Sequence, residues 1–373
     1  MRSVLLQEAF AAPAVARSKG VVEEEAAKLC ARLVDSAGSP VEVRPMLRKA
    51  FTSLFFRWAL SLDPDSGVAQ RLATLFEGAW STLTDPVVTA SDFVGLPGVT
   101  GTLPKIKRER TRLFRELITA RRRSESNRAG ETDFLDAMLK SQKKHGFGED
   151  LIVETLVSLT TAGISTVATS LEWLLLLFAK HQSAQTQARS EILGQGEQRY
   201  LEACILETLR LKTPLFVPRM CLEDLEVSGW GLKEGTLLLP DSYKLAHDQA
   251  HWGGGPVDEF RPERFLNAER PLLDALPGLR PKCPFTGASR ADAGAAEATP
   301  EKGATAFKFL PFGVGARFCP GAPLALSELH IFAAALLRAF DWQVDGGQVD
   351  LSEAYSFTLT PLNPSRLIFR PRR

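Results

Sequence analysis

The segment 311–321, PFGVGARFCPG, contains the residue best suited to chemistry in this chain, Cys319. Gly313, Gly315 and Gly321 around it permit turns and close approaches that a side chain would block. A helical pattern opens near Ala322, so its positive end points back toward the sulfur and favours a thiolate over a thiol. Such a sulfur serves either as a nucleophile or as a metal ligand. A phosphatase-type nucleophile would want an arginine six residues on, and Ala325 stands there. A papain-like pair would need a histidine that sequence alone does not place. The other cysteines, Cys30, Cys204, Cys221 and Cys283, are scattered, with no CxxC pair and no nearby histidine for a zinc site. They read as small buried hydrophobes in a reducing compartment.

Two further groups of residues have suggestive spacing. In YLEACILETLRLKTP, Glu207 and Arg210 are three apart and share a helix face. Alone, such a pair is usually a solvated ion pair. In TTAGISTVATS, residues 160–170, the small pair Ala162–Gly163 leaves room beside a helix, with Thr166 one turn on. Its hydroxyl can pass protons to a bound group or bond its own backbone as an ordinary helix threonine does.

These residues must be held by helices. Apolar periodicity predicts helices over 21–34, 43–62, 68–83, 104–123, 133–143, 149–177, 183–194, 198–211 and 323–340. Strand signals are few: a hairpin of 225–229 with 236–240 about a turn at 232–235, and short strands near 342–345, 355–360 and 366–370. The fold class is therefore mainly α with a small β component, and no repeat is present. Residues 267–305 lack apolar periodicity and read as a mobile surface insertion.

Composition removes several functions. With 45 lysines and arginines against 44 acidic residues, the net charge of +1 gives no global case for nucleic-acid binding. The longest strongly apolar run, Leu171–Ala179, falls short of the roughly 20 residues that span a bilayer, and the N-terminus lacks the apolar core of a secretory signal. The chain as given reads as soluble. Residues 105–123 carry nine positive and two negative charges. A solvated helix face is the plain reading, and contact with an anionic membrane surface is the alternative.

Phe312, Gly315, Arg317, Cys319 and Gly321 fit FxxGxRxCxG, and the segment resembles the haem-binding loop of the cytochrome P-450 superfamily. The ExxR pair Glu207 and Arg210, followed by FRPERF at 260–265, is similar to that family's ExxR helix and PERF element. The resemblance implies a structural triad of Glu207, Arg210 and Arg264. It makes Cys319 the axial ligand of the iron of haem b (iron protoporphyrin IX), in a loop that includes Phe312, Gly313 and Gly321. Arg317, Arg219 and Arg2 match positions that meet the haem propionates. Ala162, Gly163 and Thr166 match the family's oxygen-activating helix segment, but Ser165 stands where an acid is usual, and a serine cannot relay protons as a carboxylate does.

The resemblance runs over essentially the whole chain and implies one P-450-type domain, residues 1–373, lacking the family's N-terminal region. The implied activity is haem-thiolate monooxygenation, in which one atom of O2 enters a small apolar organic substrate. No flavin or dinucleotide motif is present, so electrons come from an external donor of reductase or ferredoxin type. Two alternatives stand beside it, a catalytically impaired haem-binding fragment and a haem-thiolate isomerase or dehydratase that needs no electron donor. Full-length relatives are often membrane-associated, in the endoplasmic reticulum or another organelle; the sequence leaves the compartment open.

Overall fold

The computed structural model describes residues 10, 12–83, 102–124, 133–194, 197–214, 218–266, 309–356 and 358–372. Arg2, Cys283 and the expected insertion at 267–305 lie outside them. Helices dominate, and the mainly α expectation holds. The chain forms two compact units, one of residues 1–194 with 320–373 and one of residues 195–319.

The first unit contains α1 (Ala12–Asp35), α2 (Val43–Leu60), α3 (Gly67–Leu83), α4 (Thr102–Arg123), α5 (Phe134–His145), α6 (Glu149–Lys180), α7 (Gln182–Leu193) and α11 (Ala322–Ala339). Its strands β1 (Pro40–Glu42), β9 (Arg366–Pro371) and β6 (Phe340–Val344) form an antiparallel sheet in that order. Strands β7 (Glu353–Ser356) and β8 (Thr358–Pro361) form a hairpin. The run expected as one strand at 355–360 is therefore two strands that fold back on each other.

Helix α6 is the spine of this unit. It is long and apolar enough, by length and composition, to cross a bilayer, as is α11. That corrects the shorter apolar run read from the sequence. Every residue from Ile164 to Ala179 except Thr166 is buried, and protein covers them. Glu172, 1% exposed, accepts from Arg44 Nε at 2.9 Å and Ser365 Oγ at 2.8 Å. Trp173 Nε1 donates to the Leu359 carbonyl at 2.8 Å, and the Thr169 and Thr358 hydroxyls lie 3.3 Å apart, so α6 is bonded to β8. A buried glutamate and a buried indole N–H satisfied in this way belong to a core helix.

The second unit holds α8 (Arg199–Leu211), α9 (Ser242–Ala246), α10 (Gln249–Trp252), a 3₁₀ turn at Pro262–Phe265 and another at Gly315–Arg317. Its strands pair as β2 (Arg219–Met220) with β5 (Leu237–Leu238), and β3 (Leu225–Val227) with β4 (Trp230–Leu232). The expected hairpin of 225–229 with 236–240 is thus replaced by two ribbons. The reason is local. Ser228 and Gly229 have φ of 51° and 83°, and two left-handed residues in succession make the tight turn whose twist suits a two-residue hairpin.

Candidate functional site

Within the second unit, Glu207 and Arg210 are both fully buried on α8. Arg210 Nε donates to Glu207 Oε2 at 2.7 Å and Nη2 to Oε1 at 2.8 Å, the bidentate fork that suits guanidinium to carboxylate. The remaining Arg210 donors go to the carbonyls of Ala246 and Val257, each at 2.7 Å. Arg264, on the Pro262–Phe265 turn, brings Nε to 3.4 Å from Glu207 Oε1, close enough to pair but aimed too poorly for a hydrogen bond. Its Nη atoms donate to Trp252 O at 2.6 Å and Pro256 O at 2.7 Å. The three side chains expected as a triad form one cluster.

Two partners in it were missed from the sequence. The Trp252 ring lies 5.2 Å from Arg210 Cζ, and the Arg261 backbone N–H donates to Glu207 Oε1 at 3.0 Å. Trp252 ends α10 and has no spacing signal, and although Arg261 lies inside the FRPERF run, nothing in that run marks its backbone N–H as a donor to Glu207. Burial pushes the Glu207 carboxyl above its ordinary range, against the pull of Arg210, and the same cause holds Arg264 below its own.

The cysteine loop belongs to the same unit. Cys319 is half-buried, and its backbone N–H donates to the Phe312 carbonyl at 2.8 Å, which closes the loop. Gly313 and Gly315 have φ of 72° and 65°, left-handed values that a side chain resists. Gly321 has φ of −85°, so left-handed backbone does not explain that glycine. The rings of Phe312 and Phe318 sit 6.5 Å apart. Arg317 is exposed on the Gly315–Arg317 turn. Arg219, on β2, holds Nη2 3.8 Å from where a Cβ on Gly313 would lie, so a guanidinium rests against the loop.

In the first unit, Ala162 and Gly163 are exposed on α6 and Thr166 is half-buried beside them. The Thr166 hydroxyl donates to the Ala162 carbonyl at 2.6 Å. That is the bond of an ordinary helix threonine, and it leaves the oxygen lone pairs to accept from another donor. Ser165 is buried, 8% exposed, while its neighbours Ala162, Gly163 and Thr166 make up the open side.

The cysteine loop bears on the haem that the resemblance implies. A sulfur donor, a loop bent by two left-handed glycines, and a cation against that loop suit a planar metal complex that carries carboxylates. Among the described residues, no atom lies within 4 Å of where a Cβ on Gly315 would sit, so they leave that side of the loop open. These residues fit the group. Among the described residues, no cluster of three or more His, Cys, Asp or Glu offers an alternative metal site.

Comparison with known proteins agrees. Residues 1–368 match the family model described as Cytochrome P450. A trans-cinnamate 4-monooxygenase of Petroselinum crispum is 30% identical over 351 residues, 88% of this chain and 62% of that protein. One of Glycyrrhiza echinata is 31% identical over 290 residues, 72% of this chain and 52% of that protein. The chain thus spans about half to three-fifths of the length of these relatives. A solved zebra fish cytochrome P450 with progesterone superposes at a TM-score of 0.77 and 22% identity, covering all of this chain and 81% of that one. Another structure of that cytochrome, with abiraterone, gives 0.75 at 22% identity, covering 96% and 78%. Loop, triad and family model converge: the chain belongs to the cytochrome P450 family.

Proposed function

We propose that this chain is the haem-bearing part of a monooxygenase that inserts one atom of O2 into a small apolar organic substrate. The balance is R–H + O2 + 2 e⁻ + 2 H⁺ giving R–OH + H2O, with the electrons supplied by a separate donor protein. The observation that carries the reading is the cysteine loop, closed by the Cys319 N–H on Phe312 O at 2.8 Å and bent at Gly313 and Gly315. The cofactor is haem b, and when bound it supplies the redox chemistry that activates dioxygen.

The chain's own groups do the rest. Cys319 holds the iron as a thiolate. Arg219 and Arg317 oppose the propionates, and Arg2 is the third cation of that set. Phe312, Gly313 and Gly321 shape the loop. Glu207, Arg210 and Arg264 act structurally, fixing α8 to the segment from Ala246 to Arg264 through four hydrogen bonds or ion pairs whose burial makes them hard to replace with water. Ala162 and Gly163 offer a smooth face without side-chain bulk, suited to an apolar substrate. Thr166, its proton committed to Ala162 O, accepts a hydrogen bond at that face and positions a proton donor there.

The test is isotopic. The haem-loaded chain, with an electron donor and a panel of apolar compounds including cinnamate, is run under ¹⁸O2. Incorporation of one labelled atom per product supports the reading, and labelled product from no member of the panel contradicts it. Ser165 favours one second reading, a donor-independent isomerase or dehydratase, since no carboxylate stands at 165 to relay protons. Turnover of a hydroperoxide in the absence of any reductant, without incorporation from ¹⁸O2, would select it.

A further inference from the structure

Helix α4 packs against two neighbours, and one inward-facing arginine lies between them. On α3, the Phe76 ring meets Phe114 with centroids 6.3 Å apart, and Ile106 Cδ1 is 3.5 Å from where a Cβ on Gly78 would sit. On α6, Glu149 accepts from Arg122 and Asp150 from Arg115, each at 2.6 Å. Nearer the start of α4, Arg110 comes under the field of Glu154. Partners move forward along α6 as they move back along α4, so the two helices run in opposite senses where they meet.

Arg110 is half-buried, and its Nε is shut off from solvent. The guanidinium lies over the Phe76 ring, with Cζ 5.5 Å from the centroid. Among the described residues it has no hydrogen-bond or ion-pair partner. Glu154 is exposed and faces it only at longer range, while burial holds Arg110 below the ordinary arginine range. Polar atoms taken out of water are otherwise hydrogen-bonded, so a guanidinium left in this state calls for an anion from outside the chain. Phe76 already fixes its plane, which reduces the ordering that a ligand has to impose.

The surface leading away from Arg110 selects the rest of that ligand. Glu154, Ser158, Ala162 and Thr166 are spaced four apart and form one row on α6. The first three are exposed and Thr166 is half-buried. Twelve residues at 1.5 Å each make the row about 18 Å long. Past Glu154 it offers no hydroxyl hydrogen to a ligand, because Ser158 Oγ donates to Glu154 O at 2.8 Å and Thr166 Oγ1 to Ala162 O at 2.6 Å. Such a surface suits methylene groups over most of its length and a negative charge only at the Arg110 end. A compact aromatic acid leaves much of the row uncovered, whereas an extended aliphatic chain covers it.

We propose that Arg110 is a specificity-determining residue that holds the carboxylate of a long aliphatic acid, with the chain laid along α6 and its far end beside Thr166. The proposal rests on the oxygenase reading, under which a C–H at that far end becomes C–OH, using O2, two electrons and two protons and releasing water. Binding tests it apart from turnover, by titration calorimetry of the whole haem-loaded chain with dodecanoate and with dodecanol, which lacks the charge. Arg110→Gln should weaken dodecanoate binding by about tenfold or more and leave dodecanol within about twofold. Arg110→Lys should fall between, and Glu154→Gln should bind dodecanoate at least as tightly as the wild type. Equal affinity for dodecanoate in the wild type and Arg110→Gln overturns the proposal. So does a parallel loss of dodecanol, or a wild type that binds neither compound. Under ¹⁸O2 with an electron donor, the label should appear at the end of the chain far from the carboxylate, and label beside the carboxylate overturns the placement. Arg110-dependent binding without labelled product supports the subsite and contradicts the oxygenase reading alone.

Discussion

Replacing Glu207 with alanine should unfold much of the second unit's framework. The substitution removes the acceptor for Arg210 Nε and Nη2 and for the Arg261 backbone N–H, and the charge facing Arg264 at 3.4 Å. Arg210 is fully buried, so water does not readily replace the lost carboxylate, and its charge is left uncompensated. Breaking a buried pair from one side costs about 3–5 kcal/mol, and two or three orphaned N–H groups at roughly 1–3 kcal/mol each lead to the same range. Against a total stability of roughly 5–15 kcal/mol, that leaves a protein that retains haem poorly. Urea unfolding followed by circular dichroism, with haem retention on gel filtration, measures both effects. The double variant Glu207→Leu, Arg210→Met should recover part of the loss, since an apolar pair carries no stranded charge. A loss under about 1 kcal/mol in Glu207→Ala, with normal haem loading, would refute this reasoning.

Other outcomes follow from single side chains. Glu328 on α11 is buried and its carboxyl is pushed up to about 8, so the folded chain holds a proton that the unfolded chain releases near 4.5. Stability should therefore fall by about 1.4 kcal/mol per pH unit as pH rises from roughly 5 to 8, and Glu328→Gln should flatten that slope in urea midpoints. Gly315→Ala places a side chain at φ of 65° in open space, so its effect is backbone strain alone, about 1–2 kcal/mol, read as a lower unfolding midpoint. Thr166→Ala should reduce product formed per reducing equivalent while Thr166→Ser preserves it. Equal coupling in both variants would show that the hydroxyl has no part in proton delivery.

Much of the candidate site was legible because its signals are local. The run 311–321 is one contiguous loop, and Glu207 and Arg210 meet because a helix brings residues three apart together. Pattern matching also supplied Arg264, which comes from 54 positions beyond Arg210, whereas Trp252 has no such pattern, and the part played by the Arg261 backbone N–H emerges only from the packed structure. Burial was equally silent in the sequence. Nothing in TTAGISTVATS tells that Ser165 turns inward while Ala162 and Gly163 stay exposed. An aspartate introduced at 165 would therefore have to bury its charge, a penalty that chemistry at the open face would have to exceed. The β-ribbons were misread for a different reason. Propensity marked 225–229 and 236–240 as strands, but the positive φ pair at Ser228–Gly229 chose a tighter turn and so another partner for each.

The central claim is that Cys319 holds the haem iron as a thiolate, and the ferrous carbon monoxide difference spectrum tests it most directly. The expressed chain, loaded with haem and reduced, should give the absorption of a thiolate-ligated carbonyl complex. Cys319→Ser should lose that band even where haem is still retained, while Cys204→Ser and Cys221→Ser should keep it. A thiolate-type spectrum that survives in Cys319→Ser would contradict the account, because the sulfur on the iron would then belong to another residue.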